Sequence, residues 1–382
     1  LVIGHRLAVI SHTPHHRAGD RLVGWGPTVT ELSHLATRFD EVVHIAPVHD
    51  GPAPESALPY TAANLRVLPV RPAGGDGLGA KAALGLAVPG WLTAMHRGTR
   101  DADVLHVRCP ANLSGLALAV LRARRDHRPL WVKYAGNWAP DGPEPRSYRI
   151  QRQWLRRGFG RVAVTVNGRA EDDGPHVHTF ANPSLTDDDL RAGAAAATAK
   201  PAIEPLRLAF VGRLVADKGP RIAVQVAARL QDAGRAVALE LVGDGPELEA
   251  CRTAAHEAGV ELVAHGWLGA DAVREVLARS HVLLLPSRTE GWPKVLSEAM
   301  AYGAIPAAPP ISVIPEVFAD TGAGVVAADR DPDAFVRALG PVLDDPEELD
   351  RRRAAGLAAA ARFTFDTYLE AVDDLFASME PT

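Results

Sequence analysis

Residues 206–220 read LRLAFVGRLVADKGP. An apolar run ends at Gly212, a loop carries Arg213 and Lys218, and Pro220 suits the first position of a helix. Strand, loop and helix in that order form the repeating unit of a parallel sheet, because parallel neighbours need a crossover connection. The rhythm continues through ALELVG (238–243), ELVAHG (261–266), HVLLLPS (281–287), AIPAAP (304–309) and AGVVAA (323–328). It also runs before residue 206, through RLAVIS, EVVHIAP, LRVLPV, DVLHVR, PLWVKYAG, RVAVTVN and HVHTFAN. Apolar runs this continuous predict sheets covered on both faces. The expected fold class is therefore α/β, with two doubly wound Rossmann-like domains and a cleft between them.

The chain has 382 residues, too long for one ordinary core. Between the two series lies TDDDLRAGAAAATAKPAIE, residues 186–204, where acids, alanines and proline replace the β-branched runs. It reads as a linker carrying at most a short helix. The expected division is a first domain over 1–185, this linker over 186–204 and a second domain over 205–364. A terminal helix over about 365–382 is a candidate to pack back on the first domain.

Composition is that of a globular protein, 47% apolar and 23% charged. Cys109 and Cys251 are the only cysteines, too few for a disulfide framework or a zinc site, which favours a reducing cytoplasm. No apolar run approaches the roughly 20 residues of a membrane span. The net charge of −5 hides an asymmetry: residues 1–190 hold 22 Lys and Arg against 18 Asp and Glu, the remainder 19 against 28. The basic front half argues for an anionic partner, but no nucleic-acid motif accompanies it.

In open α/β sheets ligands lie beyond the carboxyl ends of the strands, so the loops there hold the candidate chemistry. Arg213 and Lys218 beside a helix N-terminus suit a diphosphate; the alternative is a pair of solvated surface cations. Gly243, Asp244 and Gly245 read as a tight turn. Trp267 follows another strand and either lines a nucleobase pocket or packs. In TEGWPKVLSEAM, residues 289–300, Glu290 precedes a helix and Glu298 lies about two turns on. Pro293 suits the first turn and Gly303 the C-cap. The amides of Lys294, Val295 and Leu296 are expected to be free donors for phosphate oxygens. Phosphate in the middle and a hydroxyl-bearing ring at each end describe a nucleotide sugar.

FVGRLVADKG, LVGDGPE and PSRTEGWPKVLSEAMAYGAIP occur in the order and approximate spacing of retaining glycosyltransferases of family 4, and this chain resembles that family over most of residues 206–306. The resemblance implies the GT-B fold and a nucleoside-diphosphate sugar donor of UDP or GDP type. It implies a hydroxyl acceptor and no essential metal. It assigns Arg213 and Lys218 to the donor diphosphate, Glu290 to the donor sugar and Glu298 to the ribose, with Gly212, Gly243 and Gly291 in the donor loops. GDRLVGWGPTVTEL resembles the Gly-rich loop that approaches the phosphates from the first domain, making Gly24 and Gly26 candidates; a flexible loop is the alternative. DVLHVRCPANLSGL sits where the family has an acceptor-side loop, so His106, Arg108 and Asn112 are expected to face the cleft, although a lone histidine is more often structural.

Many members carry a histidine after the strand that here reads LWVKYAGNW. This chain has Ala135 there, and Lys133 or Asn137 could substitute, or the acceptor could differ. RIQRQWLRRGFGR (149–161) either makes a weak peripheral contact with anionic lipid or covers the sheet. The strings DAD (101–103) and DPD (331–333) lie in a turn and at a helix start, a poor context for a metal site. The expected activity is retaining sugar transfer from a nucleoside-diphosphate sugar to a hydroxyl acceptor. The alternatives are a nucleotide-sugar epimerase of the same fold and a catalytically silent nucleotide-sugar-binding partner.

Overall fold

A computed structural model describes residues 4–75, 77–140, 144–168 and 173–379. The chain divides into two compact units, one of residues 1–180 with 369–382, the other Ala181–Tyr368.

In the first unit the strands are β1 (Gly4–Ile10), β2 (His15–Ala18), β3 (Arg21–Trp25), β4 (Phe39–His49), β5 (Ala57–Pro59), β6 (Leu65–Val70), β7 (Val104–Cys109), β8 (Leu130–Tyr134), β9 (Val162–Val166) and β10 (Val177–Thr179). The helices are α1 (Gly26–Leu35), α2 (Leu78–Thr99), α3 (Asn112–Arg124) and α4 (Arg146–Arg157). The parallel strands run β10-β9-β8-β7-β1-β4, with β6 beside β4, so the order reverses direction between β1 and β7. GDRLVGW is not a Gly-rich loop. Its residues form the antiparallel β2–β3 hairpin, with His15 opposite Gly24. A Cβ on Gly24 would lie 2.6 Å from the His15 ring, and one on Gly26 2.9 Å from the Ser56 carbonyl oxygen. Packing inside the unit therefore explains both glycines.

The second unit contains helices α5 (Asp187–Thr198), α6 (Pro220–Asp232), α7 (Leu248–Glu257), α8 (Ala270–Arg279), α9 (Lys294–Ala301), α10 (Ile314–Thr321), α11 (Pro332–Leu343) and α12 (Pro346–Ala360). Its strands are β11 (Leu206–Val211), β12 (Val237–Val242), β13 (Glu261–Gly266), β14 (Val282–Leu284), β15 (Ile305–Ala308) and β16 (Val325–Val326). All are parallel, in the order β13-β12-β11-β14-β15-β16. That is the Rossmann order, and its switch point lies between β11 and β14. The final helix, α13 (Phe365–Ser378), begins in this unit, and from Leu369 its residues belong to the first. There Phe376 meets Phe39 and Trp131 edge-on, and Arg38 pairs with Asp373 at 3.0 Å.

Residues 186–204 differ from the linker expected. Thr186 and Asp189 form a reciprocal capping box that starts the 12-residue α5. Its Leu190 and Ala196 pack on the core that holds Leu296, Met300 and Tyr302. Alanine-rich composition hid a buried face because small residues are what a close helix contact requires. A Cβ on Gly193 would lie 2.1 Å from the Ala301 carbonyl oxygen.

That contact reverses the usual sign of a substitution. In a solvated helix Gly→Ala stabilises by roughly 0.5–1 kcal/mol. Gly193→Ala is expected instead to destabilise by about 1–3 kcal/mol through overpacking. Urea unfolding checks it, and a raised midpoint would show α5 to be loosely attached.

Candidate functional site

Unit two brings Arg213, Lys218, Glu290 and the start of α9 to the switch point, while Trp267 follows the edge strand β13. β11 ends at Val211, and the amide of the next residue, Gly212, donates to the Val242 carbonyl at 3.0 Å. The following loop carries exposed Arg213 and half-buried Lys218, and closes at Gly219, in the left-handed region at φ 72°. The loop after β12 interlocks with it. The Leu214 amide donates to Asp244 O and the Glu247 amide to Leu214 O, at 2.9 and 3.0 Å. A Cβ on Gly243 would lie 1.9 Å from the Gly212 carbonyl oxygen. Gly243 thus serves the close approach of two strand ends.

Across the switch point, the loop after β14 brings Glu290 to the Lys218 ammonium, which donates to Glu290 Oε1. Arg288 N donates to Asp217 O at 2.8 Å, a second tie between the loops. Gly291 is half-buried between Glu290 and the buried Trp292, whose ring lies flat on Phe363 with centroids 4.8 Å apart. Pro293 occupies the N-cap position of α9, which no side chain caps. The helix therefore presents the Val295 amide of its first turn and its positive dipole end. The third expected donor is taken, because the Leu296 amide bonds to Pro293 O at 3.0 Å. At the other end, Gly303 N donates to Met300 O and Ala304 N to Ala299 O, a Schellman closure with Gly303 at φ 68°.

Glu298 lies one turn beyond Lys294. Burial raises its carboxyl pKa above the ordinary range, against the lowering effect of the Lys294 and Arg274 charges. Arg274 also pairs with Asp189 of the α5 capping box at 2.9 Å. Trp267, after β13, is 43% exposed.

The first unit treats its candidates differently. His106 is fully buried within β7, stacked on Trp131 at 3.9 Å, with Nδ1 3.2 Å from the Trp131 carbonyl oxygen. Burial, then the Arg108 charge, pushes its pKa well below the usual histidine value. It does not face a cleft, since a strand covered on both faces buries every side chain. Arg108 and Lys133 are likewise inside, 8% and 5% exposed, and both bond Glu31 Oε1 of α1 at 2.7 Å. Glu31 is 2% exposed. The three tie α1 to β7 and β8, so Lys133 does not stand in for a catalytic histidine. Asn137 accepts from the Ala139 amide at 3.0 Å. Asn112 alone of this group is exposed, at the start of α3. It lines a cavity of about 390 Å³ with His12, His49, Trp91 and Tyr148 at the ends of β1, β4 and β7, the switch point of this sheet.

The aspartate strings have structural duties. Asp331 caps α11 by accepting from the Asp333 amide at 2.8 Å, and Asp333 pairs with Arg229 at 2.8 Å. Asp103 accepts from the Arg6 amide at 2.8 Å, and Asp101 pairs with Arg100 at 2.9 Å. In α4, Gln151, Arg152 and Leu155 are buried while Arg146, Arg149 and Arg157 are exposed, the pattern of a helix covering the sheet. No helix of the described residues is long and apolar enough to cross a membrane.

Residues 198–359 match the family model described as glycosyl transferases group 1. The 2-deoxystreptamine glucosyltransferase of Streptomyces kanamyceticus is 34% identical over 170 residues, 40% of this chain and 44% of that protein. This chain thus spans less than half of that relative. The D-inositol 3-phosphate glycosyltransferase of Xylanimonas cellulosilytica is 28% identical over 311 residues, 74% of this chain and 73% of its own. The Anabaena protein HepE, solved with UDP and glucose, matches with a TM-score of 0.65 and 15% identity over 98% of this chain and 100% of its own. Two parallel-sheet α/β units of this kind define the GT-B glycosyltransferase fold. Over residues 198–359, less than half of its length, the chain is similar to the group 1 glycosyl transferases.

The Lys218–Glu290 pair makes the two loops electrostatically interdependent. A phosphate anion approaching Lys218 competes with Glu290 for the same ammonium. Glu290→Gln is therefore expected to tighten binding of inorganic pyrophosphate by roughly two- to fivefold, the scale of one partly exposed charge pair. Calorimetry decides, and weaker binding would mean that Glu290 assists the anion.

Proposed function

We propose that the chain transfers a sugar from a nucleoside-diphosphate sugar to a hydroxyl acceptor with retention of configuration. The observation that carries this reading is the Lys218–Glu290 ion pair beside the uncapped N-terminus of α9, at the switch point of the second unit. Arg213, Lys218 and the α9 amides would hold the diphosphate, Glu290 the donor sugar and Glu298 the ribose. Gly212, Gly291 and Trp267 would line the same site. A donor of UDP type is supported by HepE, solved with UDP and glucose. Asn112 and the strand-end cavity of the first unit are the acceptor site in this reading, which leaves His106, Arg108 and Lys133 as structural groups.

The acceptor hydroxyl attacks the anomeric carbon on the face from which the diphosphate leaves. The bond from that carbon to the phosphate oxygen breaks, and the departing phosphate takes the acceptor proton. No side chain is needed as a base. What the protein supplies is positive charge aimed at the leaving group, in place before the reaction begins. The two free, buried cysteines suit a cytoplasmic setting. An epimerase of the same fold would consume donor with no acceptor present, and a silent partner would bind donor without turning it over.

Arg213→Ala and Lys218→Ala should each lower kcat/KM by more than about tenfold, since a hydrogen bond to a charged group contributes roughly 1.5–3 kcal/mol. Glu298→Gln should act mainly on donor KM, because ribose contacts are shared by ground and transition states. Steady-state kinetics with circular dichroism to confirm folding tests both, and unchanged donor kinetics in all three variants would refute the site.

In this reading cations and helix amides neutralise the diphosphate charge that a metal would otherwise neutralise, and the four aspartates of the two D-x-D strings have structural partners. Turnover is expected to survive excess EDTA. Complete loss, restored by magnesium or manganese, would overturn the metal-independent mechanism.

A further inference from the structure

Arg330 lies far in sequence from both candidate loops, yet it touches each. Its Nε donates to Pro286 O at 2.7 Å, in the loop after β14, and its Nη2 to Ala216 O at 3.2 Å, in the loop after β11. The two loops also approach closely here. A Cβ on Gly219 would lie 2.7 Å from Pro286 O and 3.1 Å from Arg330 Nη2. Only a residue without a side chain, in the left-handed conformation, lets the loop turn at this spot.

The base that carries Arg330 is fixed. Ala327 N bonds to Ala308 O at 2.9 Å, which anchors the end of β16. Asp331 N donates to Asp329 Oδ1 at 2.7 Å, and the Asp331 side chain caps α11. Arg330 thus projects from a capped helix start. Its planar fork offers donors in fixed directions, which a lysine ammonium does not. The side chain is held by two main-chain carbonyls, groups that accept without adding charge. By contrast, the Arg288–Asp217 pair that also crosses between the loops spans 3.4 Å with both partners exposed, and such pairs contribute little.

We propose that Arg330 is a positioning residue of the donor site: by bonding the carbonyls of Pro286 and Ala216 it sets the separation of the loop that bears Lys218 from the loop that bears Glu290. The proposal rests on the donor-site reading given above. Arg330 itself contacts neither donor nor acceptor. It keeps the Lys218 ammonium where diphosphate oxygens will lie, so its contribution is expressed through Lys218.

Two measurements test this on the full chain. The first is amide hydrogen exchange over residues 213–219 and 286–292, which does not depend on any ligand. Arg330→Met should speed exchange in both loops, and Arg330→Lys should do so less. Unchanged exchange in both variants overturns the staple. The second is a double-mutant cycle with Lys218→Ala, read as donor KM and kcat with UDP-glucose, and as affinity for bare UDP. Arg330→Met should raise donor KM by at least about tenfold in the wild-type background, the lower end of the range for a lost hydrogen bond to a charged group. In the Lys218→Ala background the same substitution should change KM by less than about twofold. Arg330→Lys should recover part of the loss. Equal fold-changes in the two backgrounds would overturn the proposal, because Arg330 would then act by itself or through general stability. If wild-type protein binds neither UDP nor GDP and uses neither sugar donor, the donor-site reading fails, while the exchange experiment still decides the staple. Should Arg330→Met not fold, Arg330→Lys carries both measurements.

Discussion

The α-carbon of Gly219 lies against the carbonyl oxygen of Pro286, so closely that a methyl group there would sit 2.7 Å from it. Much of the candidate site depends on this approach. It joins the loops that follow β11 and β14, the two strands between which the sheet order changes direction. At a switch point, the helices after neighbouring strands pack on opposite faces, so the loops diverge and leave a crevice. Here the crevice is narrowed at one point by Gly219, Pro286 and Arg330. Beyond that point Lys218 and Glu290 meet across it. The ion pair is therefore a consequence of backbone geometry, and the backbone geometry is a consequence of strand order and one glycine.

The first unit shows the same topology used differently. Its order also changes direction, between β1 and β7, and Asn112 opens the helix after β7. The charged groups nearest that point have been drawn inside. Glu31, Arg108 and Lys133 form a buried cluster in which each charge would be costly alone and is tolerable because the others are within hydrogen-bond distance. Removing Glu31 would take from both buried cations the carboxylate they share. Cations of this kind fix α1 against the sheet. Those of the second unit are different: Arg213 is exposed and Lys218 half-buried, where a ligand can reach them. Burial separates structural cations from candidate binding cations more clearly than position in a motif does.

That distinction marks what the amino-acid sequence discloses. The continuous apolar runs disclosed the parallel strands, because a strand covered on both faces has nowhere to place polar residues. Glu290, Lys218 and the start of α9 were legible because glycine and proline punctuate the loops around them. Other elements were hidden by composition. The β2–β3 hairpin was read as a loop since its glycines answer to His15 and Ser56, which are distant from them or lie across the hairpin. The α5 helix was read as a linker because glycine and alanine make up much of its buried face. His106 and Arg108 were read as cleft residues, and Lys133 as a substitute for a histidine, because the resemblance puts acceptor-side loops at these strands and says nothing of the buried partners that hold them. Arg330 gave no signal at all: its acceptors are main-chain carbonyls more than 40 and more than 110 residues away, and main-chain acceptors leave no trace in side-chain identity.

An ammonium held by a carboxylate is not wasted in the proposed reaction. A cation with no partner would bind substrate and product diphosphate alike, and binding shared by all states does not accelerate the chemical step. With Glu290 beside it, part of the Lys218 charge is already balanced in the ground state. As the bond to the sugar breaks, negative charge grows on the phosphate oxygens while the anomeric carbon becomes electron-poor. The ammonium then has more to gain from the phosphate, and the Glu290 carboxylate more to gain from the sugar. The pair separates in interaction, if not in space, along the same coordinate as the reacting bond. Such an exchange of partners needs the two loops to hold their spacing throughout, since a drift of even about 1 Å can cost a large factor in rate. The glycine that permits the close approach and the arginine that bonds both loops fix that spacing from the side remote from the chemistry.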